Sequence, residues 1–287
     1  MTRLWPALEI QLPHDSDHTL SELLVARLDD FQPTAIQEHD QSLWRVFFAA
    51  AELRDEAGRA VASEFPARGI VWRIVDVDDE DWAVRSQARL HAVTVGKLVV
   101  APPWDIPSSP ARASTIIVIE PSMGFGTGHH ASTRLCLEAL QKLDVSGRRA
   151  LDLGTGSGVL AIAAVLLGAK DVVAVESDAD ALDSARENAA RNHTDAALRF
   201  ELADFRGAGL SPAELVMANL TGAILLGTLE RVVDLAEPDG VLILSGFTSE
   251  ELIAREDGPL ATSPHVRIID RLDEEGWRCL ILRKRER

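Results

Sequence analysis

From about residue 115 onward, apolar runs of strand length alternate with amphipathic runs of helix length, and this rhythm narrows the possible folds more than any other property of the chain. Strands are expected at 115–120, 149–153, 171–176, 198–202, 214–219 and 240–245, with helices at 131–142, 158–167, 179–192, 222–235 and 248–255. Such alternation builds a parallel sheet wrapped on both faces, because each crossover between parallel strands needs a connection long enough for a helix. The last two apolar segments, His265–Arg271 and Trp277–Arg283, are joined only by Leu272-Asp273-Glu274-Glu275-Gly276. That link is too short for a crossover and demands an antiparallel pair.

The preceding sequence has a different texture. The polar, proline-bearing stretch Asp105–Ser114 is the expected domain boundary, separating a domain at 1–104 from one at 115–287. Strands are expected at Leu4–Leu12, Ala35–Glu38, Ser42–Ala49 and Ile70–Val75, and helices at Ser16–Leu28 and Ala50–Phe65. Asp79–Leu90 reads as a linking helix, and His91–Val95 with Lys97–Ala101 as a hairpin around Gly96. Mixed strands and helices at this size describe a small α+β domain. No constellation of reactive side chains is evident in it.

Composition removes several classes of partner. The 29 Lys and Arg stand against 45 Asp and Glu, a net charge of −16. This balance disfavours a broad nucleic-acid surface, which needs clustered cations, and favours a basic protein as partner. The basic tail Arg283-Lys284-Arg285-Glu286-Arg287 reads as a short solvated terminus. Cys136 and Cys279 show no metal-type spacing, which fits a reducing cytoplasm. The start of the chain lacks a sustained apolar segment, and no later run approaches the roughly 18 apolar residues of a membrane span.

The most specific local signal is Asp152-Leu153-Gly154-Thr155-Gly156-Ser157-Gly158, followed by the apolar run Val159 to Leu167. Gly154, Gly156 and Gly158 would let the backbone pass close to a ligand where a Cβ would clash, and the next helix would turn its first amides toward that ligand. A dinucleotide turn spaces its glycines G-x-G-x-x-G, whereas here glycine occupies the fifth position and Val159 the sixth. This spacing and the final antiparallel hairpin fit a Rossmann-like class I methyltransferase using S-adenosylmethionine better than a nicotinamide oxidoreductase. The strand at 171–176 ends in Glu176, where a carboxylate can accept both hydroxyls of an adenosine ribose; a helix cap or solvated acid is the plainer role.

The segment Met123-Gly124-Phe125-Gly126-Thr127-Gly128-His129-His130-Ala131-Ser132-Thr133 resembles the F-G-T-G-T-H-P-T-T signature of the bacterial methyltransferases that modify ribosomal protein L11, the PrmA type. The likeness continues through the glycine turn, Gly168-Ala169, Asn188-Ala189-Ala190-Arg191-Asn192, Val216-Met217-Ala218-Asn219-Leu220 and Leu244-Ser245-Gly246. Asp81, Trp82, Gly96, Lys97, Pro102 and Trp104 fall in the family's order before the linker, where that family carries its substrate-recognition domain. The resemblance implies that Thr133, Gly154, Glu176 and Asn219 contact S-adenosylmethionine or line its pocket. It further implies that Phe125, Gly126, Thr127 and Gly128 loop over the methionine end. Asp152, Gly156 and Gly158 belong to the same cofactor turn, and Asp204 is placed to meet the adenine amine.

Asn219 is the expected catalytic residue. It ends the strand at 214–219, where strand termini open onto the ligand crevice, and can orient a substrate amine. The chain departs from the family pattern at His129, Ala131, Glu176, Ser86 and Ala92. Adjacent His129-His130 without a third ligand nearby does not make a metal site. The expected activity is N-methylation of lysine or N-terminal amines of a ribosomal protein of this type. Methylation of another protein or a small molecule, and a non-catalytic cofactor-binding module, remain open alternatives.

Overall fold

Strand β1 (Leu4–Gln11) buries Leu8 and Ile10 toward one side of a sheet and Ala7 and Glu9 toward the other, the period-two pattern of a strand covered on both faces. The computed structural model describes residues 4–13, 20, 24, 27–28, 31, 33–38, 43–65, 69–78, 90–108, 114–121, 127–256 and 258–286. These divide into two compact units, Met1–Arg89 and Leu90–Arg287.

In the first unit β1 joins β2 (Pro33–Glu38), β3 (Leu43–Phe48) and β4 (Val71–Asp78) in an antiparallel sheet of order β2-β3-β1-β4. Helix α1 (Ala51–Glu64) connects β3 to β4. Of the helix expected over Ser16–Leu28, the described residues Leu20, Leu24, Arg27 and Leu28 are helical. The order is that of a split β-α-β unit, the α+β arrangement expected. Leu24 and Leu28 pack with Ala57, Val61 and the sheet residues Leu8, Ile10, Trp44, Val46 and Phe48. On the opposite face Glu9 is 4% exposed and paired with both Arg45 and Arg73. Burial works against its charge, but the two guanidiniums hold its carboxyl below the usual value. The linking helix expected at Asp79–Leu90 lies, except for Leu90, outside the described residues.

The second unit begins with the expected hairpin, β5 (Val93–Val95) and β6 (Leu98–Ala101). Strand β7 (Thr115–Val118) pairs in parallel with β6 and not with the large sheet. Two expectations change as a result. The Asp105–Ser114 stretch connects paired strands within one unit, so the observed division lies earlier, between Arg89 and Leu90. The strand at 115–120 is also not the first of the main sheet. Side chains hold its other edge: Asn192 Oδ1 accepts from Val118 N at 2.8 Å, and Asn188 Oδ1 accepts from Glu120 N at 2.8 Å.

The main sheet has the order β10-β9-β8-β11-β12-β14-β13. Its strands are β8 (Arg149–Leu153), β9 (Asp171–Glu176), β10 (Leu198–Leu202), β11 (Ala213–Asn219), β12 (Ala236–Thr248), β13 (Val266–Glu274) and β14 (Trp277–Lys284). All neighbours are parallel up to β12, and β14 then pairs antiparallel with both β12 and β13. Helices α2 (Ala131–Gln141), α3 (Val159–Leu166), α4 (Ala179–Arg191) and α5 (Gly222–Asp234) accompany it. Both faces are buried, as a parallel sheet requires. Ala150, Val172 and Met217 pack with α2 and α3, while Leu151, Val173 and Val216 pack with α5. This is the Rossmann-like α/β domain with a terminal antiparallel hairpin. Among the described residues, no helix is long and apolar enough to cross a membrane.

Strands β13 and β14 run closer together than their sequence suggested, leaving only Glu275 and Gly276 to turn, at φ 50° and 81°. Positive φ at both positions gives the twist that suits a two-residue hairpin. The helix expected at 248–255 is absent as well, leaving only a short 3-10 turn at Leu252–Ala254. Strand pairing wins there, since Phe247 and Thr248 extend β12 opposite Arg278 and Trp277. Gly246 makes the bulge in this extension at φ 95°, and a Cβ on it would lie 2.3 Å from Leu220 O. Gly246→Ala is expected to cost roughly 1–3 kcal/mol or more of stability, read as a lower denaturant midpoint at unchanged slope. An unchanged midpoint would show that the bulge tolerates a side chain.

Candidate functional site

The chain runs outward from β8 through β9 and β10, then returns to place β11 on the other side of β8, so strand order reverses between β8 and β11. Ligands of open α/β sheets sit at such a reversal, beyond the carboxyl ends of the strands. A cavity of about 580 Å³ occurs there, lined among others by Gly154, Gly156, Glu176, Asp204, Asn219 and Trp277.

The turn after β8 is tied to its neighbour by Val175 O, which accepts from Gly154 N at 2.9 Å and Thr155 N at 3.1 Å. Gly154 has φ 69°, and a Cβ there would approach Leu220 Cδ2 to 2.5 Å. Below the turn, Asp152 is 1% exposed and accepts from Thr155 Oγ1 at 2.6 Å and from Ala161 N at 3.2 Å. Its carboxylate fastens the turn to the first residues of α3. Gly158, at φ 83°, serves helix packing: a Cβ there would meet Ala185 Cβ at 3.2 Å and Ala185 Cα at 3.3 Å. Neither Asp152 nor Gly158 lines the cavity, so the sequence motif divides into a ligand-facing part and a supporting part.

Glu176 sits at the end of β9 and is half-buried. Its Oε2 accepts from Gly156 N at 3.1 Å, and its Oε1 accepts from Ser177 N at 2.8 Å and Asp178 N at 3.2 Å. The carboxylate is thus clamped at the cavity wall by three amides. Asp204, exposed on the far wall, is gripped by Arg206 Nε at 2.8 Å, and this contact holds its carboxyl below the usual range.

Asn219 ends β11. Its Nδ2 donates to Thr133 Oγ1 at 3.3 Å, while its Oδ1 is buried and has no hydrogen-bond partner among the described residues. Thr133 is fully buried in the first turn of α2 and does not line the cavity, so it meets the site through Asn219. Phe125 and Gly126 lie outside the described residues. Thr127 and Gly128 do not line the cavity; Gly128, at φ 84°, leaves room for Val100, whose Cγ1 would lie 2.9 Å from an added Cβ. His129 bridges Thr127 O at 3.2 Å and His91 O at 2.9 Å, which gives this family substitution a structural role.

His130 and Trp277 are among the lining residues that the sequence does not assign to the cavity. His130 caps α2, with its Nδ1 accepting from Ser132 Oγ at 2.7 Å, and its ring meets Trp277 edge-on at 4.4 Å between centroids. Burial, then the nearby Arg134, push the imidazole below its ordinary pKa and favour the neutral ring. Trp277 arrives from the start of β14, remote in sequence, and only the strand order brings it to the site. Its place directly after the tight Glu275-Gly276 turn was the available signal.

Burial raises the Asp152 carboxyl from 3.8 to about 6, against the Thr155 and Ala161 bonds, and Glu176 adds to the rise. The unfolded chain therefore releases this proton at lower pH than the folded one, and stability falls as pH rises from about 4 to about 6. Asp152→Asn removes that titration. Across this window the stability of the wild type relative to the variant is expected to decline by on the order of 3 kcal/mol. Parallel pH dependences in chemical denaturation would contradict the buried-carboxylate assignment.

The family model described as ribosomal protein L11 methyltransferase (PrmA) matches residues 16–285. A ribosomal protein L11 methyltransferase of Geobacter metallireducens is 33% identical over 302 residues, covering 98% of each chain. One of Symbiobacterium thermophilum is 36% identical over 209 residues, 72% of this chain and 67% of the relative. Among solved structures, a ribosomal protein L11 methylase of Lactobacillus delbrueckii subsp. bulgaricus superposes with a TM-score of 0.62 at 26% identity, covering 69% of this chain and all of the other. Having the glycine turn, the strand order and this breadth of likeness together, the chain belongs to the ribosomal protein L11 methyltransferase family.

Proposed function

We propose that this protein transfers methyl groups from S-adenosylmethionine to amine nitrogens of ribosomal protein L11, at lysine side chains or the N-terminus, in the cytoplasm. The single observation that carries the site assignment is Asn219 Oδ1, buried and without a hydrogen-bond partner among the described residues. A buried acceptor left empty costs about 1–3 kcal/mol, a cost relieved when a ligand N–H donates to it. Because Thr133 takes the Nδ2 side of the amide, Oδ1 is left as the acceptor that a ligand N–H would satisfy. Gly154 and Gly156 keep the wall below free of side chains, and Glu176 offers a clamped carboxylate suited to ribose hydroxyls. Asp204 would meet the adenine amine by sharing its carboxylate with Arg206.

S-Adenosylmethionine supplies an electrophilic methyl group on a good leaving sulfonium. The protein's work is accordingly to position the acceptor and exclude water. The attacking amine must be neutral, although a free lysine has a pKa of about 10.4. The largely apolar wall formed by Leu220, Ile224 and Trp277 lowers that value by desolvation. Asn219 Oδ1 can accept an N–H and steer the nitrogen lone pair.

Incubation of the full chain with labelled S-adenosylmethionine and L11, read by mass spectrometry, is expected to show methyl groups on L11 amines. An unlabelled L11 with S-adenosylhomocysteine binding intact would overturn the substrate assignment. Asn219→Leu keeps the volume and removes the acceptor, and is expected to lower kcat/KM about 100-fold with folding retained. Glu176→Ala should weaken S-adenosylhomocysteine about tenfold by calorimetry. Unaltered binding in that variant would remove Glu176 from the site.

A further inference from the structure

The basic run Arg283-Lys284-Arg285 is tied into the sheet. Strand β14 continues through Lys284, Arg285 N donates to His265 O at 2.8 Å, and Arg285 Nε donates to Val266 O at 3.2 Å. Lys284 Nζ donates to Ala236 O at 2.7 Å. These bonds fix Lys284 and Arg285 along β13 and against the start of β12, and a cleft of about 370 Å³ opens beside them. Asp239, Arg267, Arg283, Lys284, Arg285 and Glu286 form its walls. Four cations face two acids in a chain whose net charge is −16.

The pairing inside the cleft is unfavourable by itself. Arg267 and Arg283 are direct partners in the β13–β14 register, so two guanidinium groups leave the same face of the sheet opposite one another. Like charges in that relation destabilise a strand pair. Arg283 is balanced by Asp239 at 3.1 Å, but exposed Arg267 has no carboxylate partner among the described residues. A guanidinium presents a planar fork of donors that matches the oxygens of a phosphate. We propose that the cleft between Arg267, Arg283 and Arg285 binds a phosphate-class oxyanion, carried either by a free polyphosphate or by the backbone of an RNA. The site is separate from methyl transfer: Trp277, at the cofactor cavity, and Lys284, at the cleft, lie seven residues apart on β14, about 24 Å at the rise of a strand.

The test is a calorimetric titration of the full chain, at fixed low ionic strength, with inorganic pyrophosphate in one arm and a short single-stranded RNA in the other. Saturable binding in at least one arm is expected, weakened about tenfold or more by Arg267→Glu and less by Arg267→Gln. S-Adenosylhomocysteine affinity should stay the same in both variants, which reports that the fold is kept. Pyrophosphate binding identifies a free anion as sufficient, whereas binding of RNA alone identifies the nucleic-acid backbone as the source. No saturable binding to the wild type in either arm, or equal binding by wild type and Arg267→Glu, overturns the proposal.

Discussion

The buried carboxylate of Asp152 is the interaction on which the ligand end of the sheet depends. One oxygen takes the Thr155 hydroxyl and the Ala161 amide, so the end of β8, the glycine turn and the start of α3 are held by one group. Removing a carboxylate from water is expensive, and burial accordingly raises its pKa even against the Thr155 and Ala161 bonds. In exchange the turn leaves β8 at a fixed angle, and Gly154 and Gly156 face the cavity without side chains in the way. The amides of Gly154 and Thr155 then share Val175 O, carrying the constraint across to β9.

Around this anchor the opposite wall is assembled from distant parts of the sequence. Asn219 comes from β11, braced from behind by Thr133 of α2, and Trp277 comes from β14, and each of these elements has an apolar face that fixes its position in one of the two cores. The Gly246 bulge lets β12 pass Leu220 closely enough that Leu220 N reaches Ser245 O at 2.9 Å. The strand end that carries Asn219 is therefore braced from both sides. Polar specificity in the cavity rests on few atoms, set in a wall that is mostly apolar, as small-molecule sites generally are.

The main sheet was legible because its strands read as continuous apolar runs separated by helix-length segments, and because five residues cannot carry a crossover before Trp277. The glycine turn, Glu176 and Asn219 were legible by chemistry placed at strand ends. What escaped depended on contacts that periodicity does not encode. Strand β7 has the composition of a sheet strand, but its partner is β6 and its free edge is satisfied by Asn188 and Asn192. The polar stretch at 105–114 looks like a boundary because it is polar and rich in proline, yet the strands flanking it pair with each other. Likewise, a glycine needed for ligand approach and one needed for helix packing are the same letter, so Gly158 and Gly154 were indistinguishable until Ala185 and Leu220 were in view.

Asn188 joins two parts of the chain that lie well apart in sequence. Its Oδ1 accepts from Glu120 N as the chain leaves β7, and its Nδ2 donates at 3.0 Å to Ser157 O within the glycine turn. A single planar amide thus spaces the entry to the Gly-Thr-Gly-His segment against the turn. The two motifs form one indivisible cassette: a glycine turn transplanted from a relative would fit here only if the segment before α2 and the asparagine of α4 came with it.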